Sequence, residues 1–250
     1  MKILIILCLF PALAWSKLDY SSQNLIRTYP MGLFASGTVG YAFKVWDKSD
    51  INPALYGYIR PSATLQTSGP VNQAKAQLDF APVAFANFYT GAAIINRDYN
   101  ELDTFDCSSV ICRAKMYRQY VGFKMALKYK SIFMMTDHRF SRVKVSEKRG
   151  VFAEEMGTLL GSGSDDVLRV NQLVIGTEFN DKWAAGAMVV ANAMEKYTNS
   201  TRMHIGFVRR QLGHWNILAG AGTFHTRANS DVFTTLFLFQ WSGERGLTLF

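Results

Sequence analysis

Past its first sixteen residues the chain has no apolar run near the ~18–20 residues that a membrane-spanning helix needs. That excludes a bundle of membrane helices. Histidine is scarce, with 4 in 250 residues. His138, His204, His214 and His225 show neither HxxxH nor HExxH spacing, so no metal site and no cofactor are expected. Acidic residues are the minority charge, 19 against 27 Lys and Arg, a net charge of +8. The basic excess is scattered singly and never forms a run of five. Nucleic-acid binding requires a clustered basic patch, so no nucleic-acid partner is expected.

Cysteine is limited to 3 residues. Cys8 lies within "MKILIILCLFPALAWSK", where Lys2 precedes an apolar stretch from Ile3 to Phe10, Pro11 follows, and Ala14 and Ser16 are small. That is the layout of a secretory leader, residues 1–16, cleaved before Lys17. Residues 17–250 then form one domain. Losing Lys2 leaves 26 basic residues against 19, a net charge near +7. Cys107 and Cys112, close together in "DCSSVICR", remain as an even pair in an exported chain and are expected to form a disulfide.

What the chain does have is apolar content of 49% and aromatic content of 14%, interleaved with polar residues. The period of that interleaving is two. In "MYRQYVGFKMALKYK", Tyr117, Val121, Phe123, Met125, Leu127 and Tyr129 share one parity, and Arg118, Tyr120, Gly122, Lys124, Ala126 and Lys128 share the other. Alternate side chains of a strand face opposite sides, so this segment has one oily and one cationic face. The same holds for Val39, Tyr41, Phe43 and Val45 against Gly40, Ala42 and Lys44. It holds for Ile59, Ala63 and Leu65 against Tyr56, Tyr58 and Arg60, and for Leu78 and Phe80 against Lys75 and Asp79. "RMHIGFVR" sets Met203, Ile205 and Phe207 against Arg202 and His204, and "VFTTLFLFQW" sets Phe233, Phe237, Phe239 and Trp241 against Thr234 and Gln240. Around Val167–Phe179, Trp183–Met194 and Trp215–Thr226 the parity is less clean.

Short connections at Lys130, at Asn180-Asp181 and at Leu212-Gly213 alternate with longer polar ones such as "NRDYNELDTFDCSSVIC" and "SEKRGVFAEEMGTLLGSGSDD". Pro82–Asn87 is expected to form a small apolar knot at the rim with the short turns. Short turns at one end and long loops at the other are the layout of a membrane β-barrel. Glycines at Gly186, Gly206, Gly220 and Gly222 point to a crowded interior. The leader, the alternating strands and an aromatic tail ending in Phe250 together resemble bacterial outer-membrane β-barrel proteins in general. The tail departs from that pattern at Gly246 and Thr248, so Leu247–Phe250 reads either as a separate segment or as secondary to the Phe233–Trp241 run.

The expected fold is therefore all-β: a closed antiparallel transmembrane barrel of about twelve strands, ten being the alternative. The resemblance implies a Gram-negative outer membrane, contact with its lipid and lipopolysaccharide, and insertion by the barrel-assembly machinery. Lys44, Tyr56, Tyr58, Arg60, Lys75, Arg118, Tyr120, Lys124, Lys128, Arg202, His204 and Arg210 occupy polar parities and are expected to line the lumen. They would form a small passive channel favouring anionic solutes, or pair with Asp79, Asp137 and Glu178 and fill a structural surface barrel. A lipid- or lipopolysaccharide-modifying enzyme is the second reading, with His138 in "TDHRFS" the weak catalytic candidate. His138 and Ser141 differ in parity, so a regular strand sends them to opposite faces. A soluble periplasmic β-sandwich binding module is the third.

Overall fold

The computed structural model describes residues 16–52, 54–99, 104–147 and 150–243. The leader up to residue 15 and the tail Leu247–Phe250 lie outside the described residues. Seven strands open the chain: β1 (Ser16–Arg27), β2 (Gly32–Asp47), β3 (Tyr56–Thr67), β4 (Val71–Val83), β5 (Ala86–Arg97), β6 (Met116–Tyr129) and β7 (Ile132–Val145). A short hairpin follows, β8 (Val151–Glu154) and β9 (Leu159–Ser162). Five more strands end it: β10 (Asp165–Glu178), β11 (Trp183–Met194), β12 (Asn199–Leu212), β13 (Trp215–His225) and β14 (Asp231–Ser242).

Twelve of these close into an antiparallel barrel in which each strand pairs with its neighbour and β14 returns to β1. The seam is regular: Ile26 opposes Phe237 and Ser22 opposes Trp241. Closure leaves no sheet edge, the condition for a strand-built protein to sit where nothing outside can accept a hydrogen bond. It also rules out the two-sheet sandwich.

The start of β1 and the end of β14 lie at one rim with the connections 84–85, 130–131, 179–182 and 213–214. Connection 48–55 at that rim is longer, braced by backbone bonds between Lys48 and Leu55 and between Ala84 and Ala54. In place of the expected knot over Pro82–Asn87, Pro82 and Val83 end β4 and Ala86 and Asn87 begin β5, with the β4–β5 register shifted between Phe80 and Val83. The opposite rim carries both long loops, 98–115 and 146–164.

Outward side chains form a greasy belt that includes Val39, Leu65, Phe80, Phe88, Val121, Phe140, Phe233 and Phe237, all exposed. A water-soluble monomer rarely shows so large an apolar surface. Tyr20, Trp46, Tyr129, Trp183 and Trp215 are exposed near the rim with the short turns, as an interfacial aromatic girdle would be.

The inner face is of two kinds. Strands β1 to β7 carry the inward charges Asp19, Arg60, Asp79, Lys124 and Asp137, alongside apolar side chains such as Ile95, Met116 and Val143. Across the barrel, Val174, Met203, Ile205, Phe207, Phe224 and Leu236 form an apolar cluster, joined by Phe133, Met188 and Leu218. This explains the blurred parity of β10, β11 and β13, whose inward and outward faces are both apolar. It also reverses the expectation for β12. There Met203, Ile205 and Phe207 are buried inside, while Arg202, His204 and Arg210 point outward. Gly206 faces outward too, with open space beside it. Gly186, Gly220 and Gly222 face in, where a Cβ would strike neighbouring strands.

Candidate functional site in the lumen and its mouth

On the polar side Arg60 is the hub. Its Nε donates to Asp19 Oδ2 at 2.8 Å and a terminal nitrogen reaches Asp79 at 3.3 Å. Asp79 also accepts from Gln77 at 2.8 Å and Asn87 at 2.9 Å, and Gln77 accepts from the Tyr120 hydroxyl at 3.1 Å. Lys124 pairs with Asp137 at 3.8 Å, and Tyr89 donates to that same carboxylate. Nearer the turn rim Glu178 takes both Lys128 and Arg209, the latter at 3.2 Å. These ion pairs tie together stretches of the inner wall: β1, β3 and β4 through Arg60, β6 and β7 through Lys124, and β6, β10 and β12 through Glu178.

Nine of the expected lumen residues are thus inward: Lys44, Tyr56, Tyr58, Arg60, Lys75, Arg118, Tyr120, Lys124 and Lys128. Lys75 makes no ion pair among the described residues. Lys44 binds Asp47 at 2.6 Å at the rim. Arg202, His204 and Arg210 are corrected to the outer face, because on β12 the apolar parity was needed to fill the bore. Arg210 lies over the Trp183 ring, 5.0 Å from its centroid. His138 also faces outward, bonded to Thr136 and Asn171 at 2.8 Å each, whereas Asp137 and Ser141 face inward. The strand wall separates the imidazole from Ser141, so these residues make no nucleophile–base pair.

The loop expected to be plain polar sequence contains the β8–β9 hairpin instead, folded into the mouth of the barrel. Phe152 and Leu159 are fully buried against Ile95, Met116, Val143, Val145, Leu168 and Met194. The run was too short to suggest a wall strand, and nothing in its period showed where it would lie. Arginines pin it. Arg118 binds Glu154 at 3.2 Å, with side chains 9% and 2% exposed. Arg97 donates to the carbonyls of Ala153 at 2.6 Å and Ala114 at 3.0 Å, and stands 3.8 Å from Glu155. Arg27 and Arg227 hold the carbonyls of Met156 and Thr158 at 3.0 and 2.8 Å. Asn199 grips Leu160 at both backbone groups, 3.0 and 2.7 Å, and Thr201 donates to the Gly157 carbonyl at 2.9 Å. Sequence reading missed these anchors because a residue that binds a carbonyl far along the chain carries no periodic signal.

The second long loop joins the first. Ile111 bridges to Phe152, its N–H donating to Val151 at 2.7 Å and its carbonyl accepting from Ala153 at 3.1 Å. The Cys107–Cys112 disulfide is present, and Cys112 packs with Tyr99, Phe105 and Ala153. Burial and the adjacent Glu154 charge push the Glu155 carboxyl above the usual carboxylate range, against the opposing pull of Arg97. "GSGSDD" has a structural role: Asp166 is buried and accepts the N–H groups of Ser162, Val167, Lys196 and Tyr197. Between the hairpin and the wall of β1 to β4 remains a cavity of about 470 Å³, touched by Arg27, Phe34, Gln73, Tyr99 and Arg118.

No family model and no curated protein matches the chain. Among solved structures it is similar to the translocator domain of the autotransporter NalP from Neisseria meningitidis, at 13% identity and a TM-score of 0.40, covering 90% of this chain and 88% of that one. A triple-mutant porin of Rhodopseudomonas blastica is also similar, at 7% identity and a TM-score of 0.30, covering 91% of this chain and all of that one. With scores of this size, the fold rests on the closed pairing of this chain's own twelve strands.

Proposed function

We propose that this chain is an outer-membrane barrel that stands shut, a structural surface barrel presenting its joined loops outward rather than a freely conducting pore. One observation carries the reading: the β8–β9 hairpin is seated in the mouth by the buried Arg118–Glu154 pair and by side chains from six other barrel strands. Breaking a buried ion pair costs about 3–5 kcal/mol, so such a lid does not lift spontaneously for long. The paired lumen charges below it agree with filling.

A lid-gated anion pathway is the second reading, favoured by the cavity beside the hairpin and by inward Lys75 on β4, which makes no ion pair among the described residues. Planar-bilayer recording of the purified chain distinguishes them. The shut barrel gives no steady conductance, and replacing residues 151–162 by a short Gly-Ser turn leaves currents small. Steady ohmic current from the unmodified chain would overturn the shut reading. Large anion-selective current appearing only in the lid-replaced chain would establish the gated one.

A further inference from the structure

Arg202 is one of a set of outward cations that all lie toward the loop rim on adjoining strands. Arg142 and Lys144 stand on β7, Arg169 on β10, Lys196 in the β11–β12 turn and Arg202 on β12. Their register joins them. Arg142 opposes Val167, Lys144 opposes Asp165, Arg169 opposes Ala193 on β11, and Arg202 opposes Ala191. Two carboxylates lie among them. Asp165 takes Arg142 at 2.8 Å and Lys196 at 2.6 Å, and Glu195 takes Arg169. The cations remain outermost: Arg142, Arg169 and Lys196 side chains are 55%, 52% and 52% exposed, against 27% and 37% for the acids. Lys144 and Arg202 make no ion pair among the described residues.

The other side of the barrel lacks this feature. At the same rim, β1 to β5 face outward with Ser22, Asn24, Ala35, Thr67, Asn72 and Asn96, none of them charged. Beside the cations two shallow grooves run down the outer wall, of about 460 and 300 Å³. They are floored by Ala92 and Gln119 and flanked by Ile94, Phe140 and Arg142. Outward cations are costly at a bilayer midplane and nearly free at its interface, where they meet headgroups.

We propose that this sector binds the phosphorylated headgroup of a lipopolysaccharide-type glycolipid in the outer leaflet, with an acyl chain in the adjoining grooves. The proposal rests on the outer-membrane reading and specifies its lipid partner. Five cations against two carboxylates leave a net positive arc for phosphate. The grooves beside Arg142, with Ala92, Ile94, Val121 and Phe140 in their lining, suit a chain attached to that headgroup, and a free phosphate would not need them.

The test is native mass spectrometry of the full chain in detergent with bis-phosphorylated lipid A, dephosphorylated lipid A and phosphatidylglycerol. Phosphorylated lipid A is expected to stay bound. Dephosphorylated lipid A is expected to dissociate, and phosphatidylglycerol to bind more weakly. Lys144→Gln with Arg202→Gln is expected to weaken phosphorylated lipid A binding on the order of tenfold. Neither residue makes an ion pair among the described residues, and unchanged heat-modifiable migration will verify that the double variant is folded. Equal retention of the dephosphorylated lipid, preference for phosphatidylglycerol, or undiminished binding by the folded double variant would each overturn the proposal. Density-gradient fractionation of cells reports separately on the outer-membrane reading, so the two fail by different measurements.

Discussion

Tyr89 on β5 stands directly opposite Gly122 on β6, and its ring fills the space where a Cβ on that glycine would lie. The arrangement is reciprocated one step along, where Tyr120 opposes Gly91 and covers it in the same way. Each glycine lets a tyrosine lie flat along the inner wall, and there Tyr89 reaches Asp137 and Tyr120 reaches Gln77. The Lys124 ammonium sits over the Tyr89 ring, 5.2 Å from its centroid. The lumen network is therefore built on backbone space that only glycine leaves open.

Gly122→Val should push Tyr89 off the wall and break its bond to Asp137. Overpacking of this kind costs about 1–3 kcal/mol. Urea unfolding in detergent, followed by heat-modifiable migration, should show the loss. The same change at outward Gly206, where the nearest atom to a new Cβ is 3.9 Å away, should cost much less. Equal losses at the two sites would refute the inward crowding.

Arg118→Leu should free the lid rather than the barrel. Among the described residues, Glu154 would then be left buried with the Gly157 N–H at 2.8 Å as its side chain's hydrogen-bond partner. The expected cost is about 3–5 kcal/mol, felt as protease cleavage within residues 151–162 while the wall strands stay resistant. Adding Glu154→Leu should restore much of the protection, since removing both charges also removes the desolvation cost. A lid as resistant in the single variant as in the parent would show that the ion pair does not hold it.

Lid opening should depend on pH through Glu155, which lies in the connection between β8 and β9. Its carboxyl is held above the ordinary range by burial and by the Glu154 charge. The closed lid therefore favours the protonated form. That contribution is complete below the ordinary carboxylate pKa and is lost as pH rises through the raised value. Asp106, held low by bonds from Ser108 and Ser109, titrates below this window and works in the opposite sense. Hydrogen exchange of residues 151–162, corrected for the intrinsic rate, should be faster at neutral pH than in mild acid. Glu155→Gln should flatten the difference. Slower corrected exchange at neutral pH would contradict the assignment.

Phe237 tests which way the outer wall faces. It lies midway along β14, exposed. Phe237→Arg should destabilise the barrel in lipid vesicles by about 2–4 kcal/mol, the cost of a cation at the bilayer midplane. Arg202→Gln, near the loop rim, should change stability by no more than about 0.5 kcal/mol. The two urea titrations are directly comparable, and an unaffected Phe237→Arg variant would argue that this face does not meet hydrocarbon.

How much of this was legible in the sequence varies along the chain. For β2, β3, β4 and β6 the charged parity is the inner one, so Arg60, Lys75 and Lys124 could be placed from alternation alone. On β12 the same rule pointed the wrong way, because Met203, Ile205 and Phe207 fill the bore and the polar parity looks out. The disulfide could be read from two neighbouring cysteines in an exported chain. The anchors Arg97, Asn199 and Arg227 could not, since each acts on a backbone group brought near only by folding.

By itself the sequence determined that the chain is made of two-faced strands, about how many there are, and which connections are long. Those properties follow from a period of two and from local turn chemistry. Tertiary structure alone decided which face of β10 to β13 looks inward and that a short hairpin stops the mouth. A closed wall encloses a fixed volume, and any side chains of the right bulk can fill it, apolar or charged. Alternation marks two faces without saying which one meets that volume.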